Sequence, residues 1–151
     1  MHIFNKDVID LQVGQTIAFK DPNTGNTVNE NLPTIDYVVS NLPFIKSKTI
    51  AELNPTITQI NSRIIAATGV KLSLSKKSDI FAYIPFYLHN ILSADGKVGL
   101  VLSNAWMGTE YGDIFLRLFQ MYYTIQHVVV SGKGRWFQNA AVVTTLLIAK
   151  K

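Results

Sequence analysis

A run of five apolar residues at positions 98–102, Val-Gly-Leu-Val-Leu, constrains the fold of this chain most strongly. An uninterrupted apolar run of this length is typical of a strand buried on both faces, as in a parallel sheet. A second strand is predicted at 35–40, where β-branched residues follow a polar loop. Since helical patterns separate the two, the sequence predicts parallel strands joined by crossover helices.

The remaining pattern extends this α/β prediction to a single domain over residues 1–151. The first part should hold a strand end and turn in 1–13, a loop over 14–33 and the strand at 35–40. Next we expect a helix ending at Gly69, a helix from Ser78 or Asp79 with a kink at Pro85, and a turn at 94–97. The strand at 98–102, a helix over 114–123 and strands at 126–130 and 141–149 should follow. About ten residues without helical pattern join the last two strands, which should therefore be antiparallel neighbours.

Composition narrows the possible functions. The chain has no cysteine, which excludes disulfides, thiolate metal sites and cysteine nucleophiles and fits a reducing cytoplasm. No apolar run is long enough to span a bilayer. Up to position 44 there are two basic and five acidic residues, a net −3, and the remainder has twelve basic and five acidic residues, a net +7. A basic majority is compatible with a phosphate-backbone partner and equally with a merely basic surface.

Polar and aromatic residues follow three of the predicted strands, at 41–44, 103–106 and 135–137. The carboxyl ends of parallel strands collect ligands, so three such ends together favour a binding site. At 41–44 the chain reads Asn41, Leu42, Pro43 and Phe44. An amide that donates and accepts, a stiff backbone and a flat ring suit a planar, amino-bearing ligand. The competing interpretation is a strand followed by an ordinary proline turn.

Residues 36–44 resemble the Asp-x-x-x-x-Asn-Pro-Pro-Tyr/Phe motif of N6-adenine DNA methyltransferases. Residues 78–83, 94–106 and 135–145, together with Gly112, are similar to later parts of that catalytic domain and occur in the same order. The closest likeness is to modification domains of restriction–modification systems, which implies a prokaryotic, cytoplasmic enzyme. The resemblance covers residues 34–151, with 1–33 as a linking segment. It implies a partial Rossmann-like, class I S-adenosylmethionine-dependent methyltransferase fold that ends in an antiparallel hairpin.

This resemblance implies a mechanism in which adenine is flipped out of double-stranded DNA. The side-chain oxygen of Asn41 and the backbone carbonyl of Leu42 would accept hydrogen bonds from the N6 amino group as it attacks the methyl group of S-adenosylmethionine. Phe44 would stack on the flipped ring. The family usually has proline where this chain has Leu42. Leucine supplies the same carbonyl, but the loop loses one rigid φ angle, so we expect a looser grip.

Other site residues follow from the same resemblance. Asp7 resembles the acidic position near the adenine moiety of the cofactor, although an isolated Asp after a strand is commonly a cap or turn residue. Trp136 and Phe137 could form a second wall of the base pocket or pack within a hairpin loop. Lys133 and Arg135 are reasonable phosphate contacts, and a solvated loop explains them equally well.

Some residues are interpreted as structural. His2, His89 and His127 lie far apart in sequence and show no ligand spacing, so we predict no metal site. Trp106 is interpreted as packing at a strand end.

A glycine-rich Phe-x-Gly-x-Gly-like turn, expected before Asp36 for cofactor binding, does not occur in these 151 residues. We therefore expect the C-terminal portion of a catalytic domain, with an unpaired sheet edge that self-associates or binds a partner chain supplying the cofactor half. The rival interpretation is a non-catalytic DNA-binding or assembly module that needs such a partner. A small-molecule or protein methyltransferase is a third alternative.

Overall fold

A computed structural model describes residues 3–43, 57–75, 78–132 and 143–151. The chain is a mixed α/β fold with one two-stranded and one four-stranded sheet. The strands are β1 (Thr16–Lys20), β2 (Thr27–Asn31), β3 (Ile35–Asn41), β4 (Leu92–Ser103), β5 (Thr124–Val130) and β6 (Thr144–Lys150). The α-helices are α1 (Ile60–Thr68), α2 (Ile84–Leu88) and α3 (Glu110–Tyr122), with short 3-10 helices at Val8–Asp10, Ile57–Gln59, Ile80–Ala82 and Asn104–Trp106.

The larger sheet has the strand order β3-β4-β6-β5. β3 and β4 are parallel, whereas β6 is antiparallel to both of its neighbours. β5 therefore runs in the same direction as β4. The prediction of parallel strands followed by an antiparallel pair is confirmed, and the last strand lies between the two that precede it.

The prediction of a loop over 14–33 is wrong, because this segment forms the β1–β2 hairpin. The turn chemistry is present, since the Asp21 carboxylate accepts bonds from the Asn23 amide at 2.8 Å and the Thr24 hydroxyl at 2.8 Å. The local sequence pattern did not predict that side chains of β1 would be buried by tertiary contacts. Ile17 and Phe19 are buried, and the ring of Phe19 meets that of Phe4 edge to face at 5.1 Å.

The turn predicted at 94–97 is also wrong, since these residues lie inside the twelve-residue strand β4. Pairing with β6 overrides the local turn preference: Asp95 forms an ion pair with Lys150 at 2.7 Å, and the Lys151 amide donates to the Gly96 carbonyl at 2.8 Å. Burial along 98–102 alternates, with Val98, Leu100 and Leu102 buried and the residues between them half-buried. The expectation that this run is buried on both faces is therefore wrong as well.

The kinked helix expected around Pro85 is instead a 3-10 turn, Ile80–Ala82, followed by the separate helix α2. Pro85 lies in the first turn of α2, where its missing N–H breaks no helical bond. The predicted helix end at Gly69 is confirmed: its φ is 69° and its amide donates to the Ile65 carbonyl at 2.8 Å. Helix 114–123 begins earlier than predicted, at Glu110, because the Thr109 side chain caps the Gly112 amide.

The hydrophobic core lies on one face of the larger sheet. Helices α1, α2 and α3 contribute Ile64, Phe86, Phe115 and Phe119 to one buried cluster that includes Leu100 and Leu147 of the sheet. The Tyr123 hydroxyl donates to the Pro85 carbonyl at 2.7 Å, so the end of α3 is tied to α2. This one-sided core positions the carboxyl ends of β3 and β4 side by side.

Candidate functional site

Two of the three predicted strand ends, at 41–43 and 103–106, lie at the same edge of the sheet, and the third, at 135–137, lies outside the described residues. Asn41 pairs with Val101 near the end of β4, and Ser103 pairs with Thr144 at the start of β6. The amide of Ser131, which follows β5, donates to the Thr144 carbonyl at 3.1 Å. The expectation is confirmed for 41–43 and 103–106, and for 135–137 it stays a prediction.

The end of β3 presents two hydrogen-bond acceptors. Asn41 is exposed, and its side-chain amide contacts no hydrogen-bonding group of the described residues. The carbonyl of Leu42 likewise accepts no backbone bond from the described part of the chain. Pro43, the next residue, is exposed. Phe44 lies outside the described residues, so its predicted stacking role stays a prediction.

Leu42 is held by two interactions that a proline could not both provide. Its amide donates to the Val101 carbonyl at 3.0 Å, which extends the parallel ladder by one bond. Its side chain is 3% exposed and belongs to the hydrophobic core. Proline has no N–H, so the family residue would lose this bond. Packing and hydrogen bonding therefore anchor Leu42, although the sequence predicted a looser loop because the family proline is absent.

Asp7 has the capping role considered for it, and its cofactor-binding role stays a prediction. It is the N-cap of the Val8–Asp10 3-10 helix, where its Oδ1 accepts from the Ile9 amide at 3.2 Å. It is also an exposed residue that lines a cavity shared with the end of β3. The cap fixes the carboxylate beside that cavity, so the structural role does not exclude a binding role.

This cavity, of about 480 Å³, lies between the first 3-10 helix, the end of β3 and helix α2. Its walls are mostly apolar and include Val8, Leu32, Leu42 and Ile84. Asp7 is the only ionisable side chain among the described residues that line it. An apolar space with one carboxylate suits a heteroaromatic ring that carries an amino donor. Sequence reasoning singled out Asp7 and Leu42 but missed the wall formed by Leu32 at the end of the hairpin.

The end of β4 is structural. Ser103 caps the Asn104–Trp106 3-10 helix through a bond from the Ala105 amide at 3.1 Å. Trp106 is 6% exposed and packs edge to face on Phe115 at 5.7 Å. Its interpretation as a packing residue is confirmed. Its indole N–H has no hydrogen-bond partner within the described residues.

Four of the predicted substrate contacts cannot be placed. Lys133, Arg135, Trp136 and Phe137 lie outside the described residues, and their roles stay predictions. The described chain resumes at 143, where the buried hydroxyls of Thr144 and Thr145 have no hydrogen-bond partner within the described part.

The largest pKa shifts belong to groups that do not line the cavity. Burial, and secondarily the charge of Lys151, lowers the pKa of His89 to about 4. Burial, together with Asp79, raises the pKa of Tyr111 to about 12. The described residues around the cavity thus bring no histidine to it. The chemistry available there is hydrogen bonding and apolar contact.

The described ranges also bear on metal binding and on membrane insertion. No group of three or more histidine, aspartate or glutamate side chains there is arranged to hold a metal ion. No helix in those ranges has both the length and the apolar character needed to cross a membrane.

Comparison with known proteins adds no assignment. No protein-family model matches the chain, and no curated protein matches it.

Proposed function

We propose that this chain is the C-terminal portion of the catalytic domain of an N6-adenine DNA methyltransferase from a restriction–modification system. One observation carries the proposal: among the described residues, the Asn41 side chain and the Leu42 carbonyl have no hydrogen-bond donor, and Leu42 lines an apolar cavity that Asp7 also lines. The sequence resemblance implies that Asn41 and Leu42 bind the target adenine and that Asp7 binds the cofactor. The cavity shared by Leu42 and Asp7, with Asn41 next to Leu42 in the chain, supports the assignment.

The sheet supports a Rossmann-like class I methyltransferase fold. A parallel β3–β4 pair connected through helices α1 and α2, followed by antiparallel pairing of β6, is the arrangement expected for this part of such a fold. Ligands of parallel sheets bind beyond the carboxyl ends of the strands, and Asn41 is the last residue of β3.

The proposed mechanism uses the acceptors of this edge. Asn41 Oδ1 and the Leu42 carbonyl accept hydrogen bonds from the N6 amino group of a flipped adenine and orient its lone pair. S-adenosylmethionine supplies an electrophilic methyl group on sulfur. With the cofactor bound, the amino nitrogen held by Asn41 and Leu42 would take this methyl group as the carbon–sulfur bond breaks, and an N6 proton would then leave to solvent. Because that proton leaves after attack, no base with a matched pKa is required.

The cavity fits part of the cofactor. Its apolar walls match the faces of a purine, and the Asp7 carboxylate can accept from the purine amino group. The chain contains no glycine-rich turn of the expected kind for the methionine end of the cofactor. We therefore propose that a further polypeptide segment supplies that half of the site.

Double-stranded DNA is the proposed substrate. The net charge of +7 after position 44 favours contact with phosphates, and Lys133 and Arg135 are the proposed phosphate contacts. Trp136 and Phe137 would form the second wall of the base pocket, opposite Phe44. Flipping costs a few kcal/mol, which such stacking offsets.

The test is methyl transfer to duplex DNA by the full parent protein, with Asn41→Ala as the variant. Asn41 is exposed, so its truncation should leave stability unchanged while lowering kcat about 100-fold or more, the typical cost of removing one oriented hydrogen-bonding group at a reacting centre. Asn29→Ala, at an exposed asparagine of β2, is the matched control and should keep full activity. Undiminished methylation by Asn41→Ala would remove Asn41 from the mechanism.

A non-catalytic DNA-binding or assembly module is the second candidate, favoured by the lack of a glycine-rich turn in these residues. Calorimetric titration of the chain with S-adenosylmethionine separates the two. Binding that Asp7→Asn weakens favours the enzyme, whereas DNA binding without any cofactor binding, alone or in the parent protein, favours the module.

A further inference from the structure

The cavity beside the end of β3 contains a second polar side chain, which the proposed mechanism does not use. Among the described residues that line this cavity, only Asp7 and Ser40 have polar side chains. Its volume of about 480 Å³ lies within the range of about 300–1,000 Å³ that is typical of small-molecule sites. In such sites a few polar groups on apolar walls fix the orientation of the ligand. Ser40 is therefore a candidate for the second of these groups.

Ser40 lies on the side of β3 that faces the core. It is half-buried between two exposed residues, Val39 and Asn41. Successive side chains of a strand point to opposite faces, so Ser40 shares a face with Leu42, which lines the same cavity. In the sheet Ser40 pairs with Leu100, which is fully buried. Ser40 and Asn41 therefore point to opposite sides of the strand and can serve different ligands.

The Ser40 hydroxyl has no hydrogen-bond partner among the described residues. A hydroxyl beside apolar side chains costs free energy unless a hydrogen bond compensates it. Other half-buried hydroxyls of this chain are bonded: that of Ser93 donates to Asp36 at 2.8 Å, and that of Thr68 donates to the Ile64 carbonyl at 2.8 Å. A ligand in the cavity can supply the bond that Ser40 lacks.

Asp7 and Ser40 offer different hydrogen-bonding chemistry. An ionised carboxylate only accepts, whereas a hydroxyl both donates and accepts. The bond from the Ile9 amide to Asp7 Oδ1 at 3.2 Å uses one of about four acceptor positions on a carboxylate. A flat ring with an amino group and an unprotonated ring nitrogen matches both side chains. Adenine has this combination, whereas hypoxanthine has an oxo group in place of the amino group.

We propose that Ser40 determines the ligand specificity of this cavity, because its hydroxyl donates to a ring nitrogen of an adenine whose amino group donates to Asp7. The inference rests on the proposed function in one respect, that this adenine belongs to S-adenosylmethionine. Ser40 and Asn41 then serve two different adenines. Ser40 reads the ring of the cofactor on the core side of β3, and Asn41 holds the target base.

The test is titration of the chain with adenosine, followed by NMR without cofactor or DNA. In 1-deaza-, 3-deaza- and 7-deazaadenosine a CH group replaces one ring nitrogen each. One of these analogues should bind the natural chain about fivefold more weakly than adenosine, the typical effect of one hydrogen bond. Ser40→Ala should bind adenosine about fivefold more weakly, and it should bind that analogue and adenosine equally.

A second comparison tests the partner group on Asp7. Inosine, which has the oxo group, should bind the natural chain about tenfold more weakly than adenosine, because an oxo group cannot donate to a carboxylate. Asp7→Asn keeps a good N-cap residue and adds a donor, so it should reduce this preference for adenosine. An equal preference in Asp7→Asn and in the natural chain would show that Asp7 does not contact the amino group and would overturn the inference.

The controls separate recognition from a structural role. Ser62→Ala, at an exposed serine of α1, should bind all ligands as the natural chain does. A structural role of Ser40 would weaken adenosine and the three analogues alike in Ser40→Ala, which would overturn the inference. The same conclusion follows if adenosine does not bind to the chain, or if Ser40→Ala binds it normally.

These measurements are independent of methyl transfer. If Ser40→Ala shows none of the expected changes while Asn41→Ala abolishes methylation by the parent protein, only the inference is refuted. If the Ser40 changes occur and Asn41→Ala methylates DNA fully, the adenine site stands and the proposed function is refuted.

Discussion

Replacing Leu42 by proline recreates the usual Asn-Pro-Pro-Phe sequence of the resembling family, yet we expect it to destabilise this chain. The Leu42 amide donates to the Val101 carbonyl at 3.0 Å, and its side chain is 3% exposed. Proline removes the first interaction altogether and shortens the buried side chain. The substitution therefore tests whether packing and hydrogen bonding anchor the end of β3.

The expected size of the effect follows from these two interactions. Loss of one backbone hydrogen bond costs about 1 kcal/mol. Loss of roughly one buried methyl-sized group costs about 0.8 kcal/mol. Restricting the unfolded chain with proline returns roughly 0.7 kcal/mol. Val101 is half-buried, so we expect only a small additional desolvation cost at its carbonyl. The net expectation is a loss of about 1 to 1.5 kcal/mol for Leu42→Pro.

Urea unfolding followed by tryptophan fluorescence measures this loss. With a slope of about 2 kcal/mol per molar urea, the midpoint for Leu42→Pro should fall by roughly 0.6 M. Leu42→Met keeps the amide and nearly the same volume, so it should stay close to the natural chain. A midpoint for Leu42→Pro equal to or above that of Leu42→Met would refute the reasoning, because the amide bond would then contribute nothing.

Two further predictions concern the scaffold. Gly112→Ala would place a Cβ 1.8 Å from the backbone oxygen of Trp106, so the free energy of unfolding should fall by about 3 kcal/mol, or the chain should fail to fold. Gly99→Ala is the control, because its Cβ would meet nothing closer than 4.0 Å, and it should unfold near the natural urea midpoint. The pKa of His89 is lowered from 6.5 to about 4, so the unfolded state binds more protons between these values and the melting temperature should fall as pH drops through that window. His89→Gln should flatten this pH dependence; equal slopes for His89→Gln and the natural chain would contradict the assignment.

Local sequence predicted those features that depend on neighbouring residues. The end of α1 at Gly69 follows from the tolerance of glycine for positive φ, here 69°. The β-branched run predicted β3, which extends over Ile35–Asn41. Trp106 was correctly interpreted as packing because an aromatic residue between an apolar strand and an amphipathic helix is normally buried.

Predictions failed where distant residues override local preference. The segment at 94–97 has turn composition, but the Asp95–Lys150 ion pair and the ladder to β6 hold it extended. The hairpin at 16–31 is polar along β2, where all five residues are exposed, and its strand character depends on burial of Ile17 and Phe19. Neither contact can be read from a window of neighbouring residues.

The sequence by itself determined the α/β class, the order of the principal strands and helices, and the placement of Asn41 and Leu42 at a strand end. Only the tertiary structure decided that Asp7, 35 residues from Leu42 in sequence, shares a cavity with it. Only the tertiary structure revealed that Leu42 is anchored to Val101 and that Val39 faces outward. The physical reason is that periodicity encodes which side of an element is apolar, whereas the residue it meets depends on how the whole chain packs.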